Sequence, residues 1–195
     1  MDRDEIVIDE ILVAAKSLFG SFGLKKTTIE DISLSSGKGK STLYNYFPGK
    51  NEIFEAVVRS EMQAVVRSLQ EGVDSANGAK AKLKAFLNVQ STAIVQLRSL
   101  HKVLFEDLIE ARRILLPLRS EYEQKQIEMI GGILRGGMQS GDLKVYDDER
   151  IRKVSLLIIF AFKGLHYPLS INPGEVKSHE YFDELVDILL EGIGN

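Results

Sequence analysis

Apolar residues recur at steps of three and four along almost the entire chain, and nothing after Gly78 alternates apolar with polar as a half-buried strand would. That period commits the chain to helices. Between Glu5 and Phe22 the stripe is Ile8, Ile11, Leu12, Ala15, Leu18, Phe19 and Phe22, with Gly23 placed to close the helix. A longer stripe, Ile53, Phe54, Val57, Val58, Met62, Val65, Val66 and Leu69, predicts a helix from Lys50 to about Glu71, and Gly72 to Gly78 reads as a loop.

The second half repeats the pattern. A helix from Ala79 carries Leu83, Phe86, Leu87, Gln90 and Ile94, and Leu116-Pro117 is expected to break the chain, because proline disrupts a helix interior. Leu118 to Ser140 predicts the next helix, ending at Gly141-Asp142-Leu143. Its glycines 131, 132, 136 and 137 cost about 1 kcal/mol each against alanine. Close helix approach, room for a ligand or a kink would each account for them. Asp148 to Tyr167 is apolar nearly all round and should stop at Pro168; a loop through Asn172-Pro173-Gly174 then leads to a last helix with Tyr181, Phe182, Leu185, Val186, Ile188, Leu189 and Leu190. A helix apolar on every side needs cover from more than its own domain. The last two helices, about 149–168 and 179–193, fit a two-fold interface in which each subunit gives an antiparallel pair to a four-helix bundle.

Between the first helix and the long one lies the segment with the most chemistry. Thr27 with Glu30, and Thr28 with Asp31, both satisfy the capping-box spacing, so a short helix starts at one of them and runs to about Ser36. Gly37-Lys38-Gly39 then turns the chain into Lys40-Ser41-Thr42-Leu43-Tyr44-Asn45-Tyr46-Phe47, closed by Pro48-Gly49. Leu43 and Phe47 share one face and can anchor this run, leaving amines, hydroxyls and an amide with exposed directions. Lysine and asparagine can donate to base edges, while Ser, Thr, Tyr and Lys contact phosphate oxygens. Two short helices across a tight turn, braced by a longer one, make a helix-turn-helix, whose second helix enters the major groove.

Charge agrees. Residues 11 to 50 carry six lysines against Glu30 and Asp31, a local +4 on a chain whose formal net charge is -3. A basic block on an acidic chain fits local contact with a polyanion better than general stickiness. There is no cysteine, the first residues are acidic, and the longest apolar run, Leu156 to Phe162, falls far short of the ~20 residues that span a bilayer. A cytoplasmic protein without membrane contact is expected. The 44% hydrophobic content supports a packed core. His101, His166 and His179 are scattered without metal spacing, and no catalytic constellation or phosphate loop is found, so no metal, cofactor or enzymatic activity is expected.

Thr27 to Ile32 followed by Gly37, then Ser41 to Phe47 and Lys50, resembles the DNA-binding signature of the TetR/AcrR family of bacterial transcriptional regulators over roughly residues 8 to 58. The resemblance implies an all-α chain: an N-terminal three-helix helix-turn-helix DNA-binding domain at 1–50, a connector at 50–71, and a C-terminal helical effector-binding and dimerisation domain at 72–195. It implies Lys40, Ser41 and Asn45 as base-edge readers of a double-stranded operator, and Thr28, Thr42, Tyr44, Tyr46 and Lys50 as phosphate contacts. Lys50 opens a helix whose positive end would itself favour a phosphate. The chain departs from the family pattern at Ser36, Lys38 and Gly39. Lys38 stands where an aliphatic side chain normally packs, so it either snorkels or points outward and adds a charge facing DNA.

For a small apolar or amphipathic effector, the candidate residues project aromatic or polar groups from apolar faces: Phe86, Gln90, His101, Phe105, Tyr122, Met129, Phe162, Lys163 and His166. Ordinary core packing is the competing reading for each. Lys163, within an apolar helix, needs an acidic residue or an anionic ligand as its partner. The expected function is a ligand-responsive homodimeric repressor of a pseudo-palindromic operator. The rival is a helical small-molecule carrier that has lost specific DNA binding.

Overall fold

The computed structural model describes residues 2–104, 108–171 and 178–193. Among them the order is α1 (Arg3–Lys26), α2 (Ile29–Ser36), α3 (Lys40–Tyr46), α4 (Lys50–Asp74), α5 (Gly78–Leu104), α6 (Leu108–Gln139), α7 (Asp148–Ile171) and α8 (Ser178–Ile193), with no strand among the described residues. The helices form two compact units, one of Met1–Ala64 with Val95–Ser120 and one of Val65–Ile94 with Glu121–Asn195. The expected all-α architecture is what is found.

The first unit closes on Ile11, Ala15, Phe19 and Leu24 of α1, Ile32 of α2, Leu43 of α3, and Ile53, Phe54, Val57 and Val58 of α4, with Leu118 of α6. Phe19 and Phe54 meet edge to face at 5.2 Å, the geometry that aromatic quadrupoles favour. Gly23 does interrupt α1, at φ 82° and ψ 170°, but one more helical turn follows it. That change of direction moves Leu24 into the core and leaves Phe22, a member of the predicted stripe, 57% exposed. Thr27 is buried and its hydroxyl donates to the Gly23 carbonyl at 2.7 Å. Thr28 is therefore the residue that caps α2. Its hydroxyl accepts from the Asp31 N–H at 3.1 Å, and the Asp31 carboxylate accepts from the Thr28 N–H at 2.9 Å.

The second unit is built on Leu69, Val73, Leu83, Phe86, Leu87, Ile130, Ile133, Leu134, Ile158, Ile159, Phe162, Phe182 and Val186. Of three breaks expected from the sequence, the loop of Gly72 to Gly78 is found only at 75–77, and those at Pro117 and Pro168 do not occur. α4 continues through Gly72 to Asp74, because Val73 is core and Gly72 lies where a Cβ would come 2.9 Å from Val89 Cγ2. Pro117 sits inside α6. It forfeits only the bond to the Arg113 carbonyl, while Ile114, Leu115 and Leu118 pack on the first unit's core on both sides of it. α7 likewise continues past Pro168 to Ile171, losing one bond rather than the helix. The loop expected through Asn172-Pro173-Gly174 lies outside the described residues.

α6 ends as expected, at Gly141 with φ 82°, and the Leu143 N–H returns to the Gly137 carbonyl at 3.0 Å. A Cβ on Gly137 would lie 2.7 Å from Leu143 Cδ1 and 2.8 Å from Ala79 Cβ, so close approach explains this glycine. Gly132 and Gly136 meet nothing within 4 Å. α7 is not covered all round: Ile151, Ile158, Ile159 and Phe162 face the core, whereas Leu157 and Phe160 are 61% and 54% exposed, as are Tyr181 and Ile188 of α8 to a similar degree.

Candidate nucleic-acid interface

α3 has seven residues, too few to persist alone. Its place is set by neighbours. Gly37 adopts the left-handed conformation, φ 66° and ψ 18°, and its N–H closes α2 on the Ser33 and Leu34 carbonyls. The Ser33 hydroxyl donates to the Lys38 carbonyl at 2.6 Å and fixes the turn. Leu43 is fully buried and Phe47 half-buried on the core, as their spacing required.

With that face committed, Lys40, Ser41, Tyr44 and Asn45 are exposed and Thr42 is half-buried. Lys40 with Tyr44, and Ser41 with Asn45, are four residues apart, so one short helix presents them as two adjacent pairs. Tyr44, 54% exposed, is not a core residue. Lys50 starts α4, and its Nζ donates to the Lys25 carbonyl at 3.4 Å, next to the cap of α2. Thr28 stands exposed at that cap, its hydroxyl donating to Asp31 Oδ2 at 2.7 Å. The two bonds from Thr28 hold the Asp31 carboxyl below its usual pKa.

Three further candidates are also engaged from within the protein. Lys38 turns back onto α1, its Nζ 2.5 Å from Glu10 Oε2, which decides between snorkelling and pointing outward. Lys40 Nζ lies 3.0 Å from Glu30 Oε2. The Tyr46 hydroxyl donates to Asp4 Oδ1 at 2.6 Å, and that bond raises its pKa, keeping the phenol a neutral donor.

Of the effector candidates, Phe86, Gln90, Tyr122, Met129, Phe162, Lys163 and His166 lie in the second unit, whereas positions 101 and 105 belong to the first. Phe86, Gln90, Phe162 and His166 are buried, and Met129 packs on the core from an open cleft of about 440 Å³ whose lip carries Asp74, Lys82, Lys125 and Glu128. The Tyr122 hydroxyl donates to Gln90 Oε1 at 2.7 Å, and burial pushes its pKa up to about 12. Gln126, buried beside it, completes a neutral polar group in an apolar core. Its place four residues after Tyr122 was the signal in the sequence for this residue, which the candidates above omit. Phe162 meets His166 at 5.4 Å and Phe182 at 4.8 Å, both at a tilt, and His166 and Phe182 stack on each other at 6.4 Å. Lys163 pairs with Glu123, so its partner is an acidic residue of the chain. The side chains of His101 and Phe105 lie outside the described residues.

A capped short helix, a left-handed glycine turn and a second short helix offering amines, hydroxyls and an amide to solvent define a helix-turn-helix DNA-binding regulator. Comparison with known proteins agrees. Residues 11–57 match the family described as "Bacterial regulatory proteins, tetR family". The chain is 31% identical over 140 residues to the HTH-type transcriptional repressor KstR2 of Mycolicibacterium smegmatis, a match covering 70% of this chain and 67% of that protein. The chain belongs to the TetR family of transcriptional regulators. A transcriptional regulator from Cytophaga hutchinsonii is similar along 95% of this chain and 97% of its own, at 26% identity and a TM-score of 0.69. FadR of Bacillus subtilis, solved in complex with stearoyl-CoA, covers 94% of this chain and 98% of its own at 22% identity and a TM-score of 0.68, a likeness of fold. No helix among the described residues is long and apolar enough to cross a membrane.

Proposed function

We propose that this protein is a cytoplasmic, non-enzymatic homodimeric repressor that reads a pseudo-palindromic operator with α3 and releases it when a small apolar or amphipathic molecule binds residues 72–195. The observation that carries the reading is the exposed face of α3 over a buried Leu43. Lys40, Ser41 and Asn45 read base edges; Thr28, Thr42, Tyr44, Tyr46 and Lys50 contact phosphates. Residues 1–50 form the reading domain. Two copies of α3 about 34 Å apart would match successive turns of one groove. The exposed Leu157 and Phe160 on α7, with Tyr181 and Ile188 on α8, support pairing of subunits through these helices. Phe86, Phe162 and the Gln90–Tyr122–Gln126 group supply an apolar surround with neutral hydrogen-bonding groups for an effector. Such a ligand lowers operator affinity only to the extent that it prefers one conformation.

Equilibrium binding of the purified protein to the DNA upstream of its own gene, against a random duplex at moderate salt, tests the reading. Preference for the upstream DNA is expected. Weak, sequence-blind association would instead favour the carrier. Lys50→Ala should weaken binding on all sequences and lower the salt slope by about one per half-site, whereas Asn45→Ala should relax sequence preference. Stearoyl-CoA, the ligand of the Bacillus neighbour, is a suitable first effector probe.

A further inference from the structure

The first ten residues contain Asp2, Asp4, Glu5, Asp9 and Glu10 against Arg3, a charge of -4 that cancels the +4 of residues 11 to 50. The structure shows where part of that acid goes. Asp4 accepts from Tyr46 at 2.6 Å and Glu10 pairs with Lys38 at 2.5 Å. Glu30, on α2, pairs with Lys40 at 3.0 Å. Asp4 and Glu30 thus occupy Tyr46 and Lys40, donors that the proposed function assigns to DNA, and Glu10 holds Lys38, the lysine of the turn that leads into α3.

We infer that Asp4, Glu10 and Glu30 act as built-in competitors for phosphate, lowering the sequence-independent affinity of the protein for duplex DNA. The inference rests on α3 being the DNA-reading helix. Sequence-independent binding comes almost wholly from phosphate charges neutralised by Lys and Arg, with release of their counterions. A phosphate approaching Lys38 or Lys40 exchanges one anion for another, and leaves a carboxylate beside the polyanion. Little is gained by that exchange. An operator adds base-edge bonds to Ser41 and Asn45 that the carboxylates do not contest, so it is bound in spite of them. Discrimination against the large excess of competing genomic sites is served by the same three side chains.

The test uses the full-length protein with Glu10→Gln and Glu30→Gln, exposed helical positions where glutamine keeps length and helix propensity. Fluorescence anisotropy is measured on a random duplex and on the upstream duplex over a range of salt. Either substitution should tighten binding to the random duplex about three- to tenfold at low salt and steepen the salt slope by up to about one per half-site. In a Lys38→Gln background, Glu10→Gln should no longer do so, because its partner is gone. Unchanged affinity and slope on the random duplex would overturn the inference while wild-type preference for the upstream duplex stands. So would a Glu10→Gln effect that survives loss of Lys38. Wild-type protein with no preference for the upstream duplex would remove the DNA reading, and this inference with it.

Discussion

Adding a single methyl group at Gly137 separates close helix packing from every other explanation of the glycines in α6. The new Cβ would sit 2.7 Å from Leu143 Cδ1 and 2.8 Å from Ala79 Cβ. Ala79 cannot rotate its Cβ away, and Leu143 is tethered by its own N–H to the Gly137 carbonyl. Overpacking of this kind costs about 1–3 kcal/mol, and the gain in helix propensity returns about 1 kcal/mol. Gly137→Ala should therefore destabilise by roughly 1 kcal/mol, about 2–4 °C in Tm for a chain of this size. At Gly132 and Gly136 nothing lies within 4 Å, so alanine there should stabilise by roughly 0.5–1 kcal/mol. Urea titrations and thermal melts followed by circular dichroism read all three. If Gly137→Ala proves as stable as Gly132→Ala, the packing argument for α6 is wrong.

Thr28→Ala should cost about 1 kcal/mol through loss of the α2 cap. Because the Asp31 pKa is lowered in the fold, the stability linked to it is present at neutral pH and is lost as pH falls through that lowered value; the gap between variant and wild-type melts should narrow below about pH 4. Tyr122 has a pKa raised by burial, so its contribution is complete below the ordinary tyrosine range and is lost as pH rises towards about 12. In an absorbance titration Tyr122→Phe should remove a late step that lies towards pH 12, while costing about 1 kcal/mol for the bond to Gln90. Phe160→Glu should shift the protein from dimer to monomer in sedimentation equilibrium with little effect on the monomer's helix content, since Phe160 is exposed within the chain.

The helix-turn-helix was readable in advance because local rules define it: a capping-box spacing, a glycine at a left-handed turn, and two apolar anchors four residues apart. Even there the sequence offered two caps, and only the burial of Thr27 decides for Thr28. Pro117 and Pro168 show where local rules fail. Proline penalises a helix by an amount that packing on either side can exceed, and that packing cannot be read from the neighbouring residues alone. Phe22 failed for a related reason, since Gly23 redirects the chain and hands the buried place to Leu24. The partners of Lys38 and Tyr46 come from α1, far away in the chain, so no spacing rule could reveal them. Lys163 was legible as needing a counter-charge, while Glu123, forty residues earlier, was not legible as its source.

In the proposed reading α3 is presented twice, by paired subunits, to duplex DNA. Selection of bound fragments from a random duplex pool tests function, symmetry and spacing at once. The wild-type protein should enrich one inverted repeat whose half-site centres lie about one helical turn, or a multiple of it, apart, and the double variant Lys40→Ala/Asn45→Ala should enrich none. An enriched motif without two-fold symmetry, or one recovered unchanged by the double variant, would contradict the account.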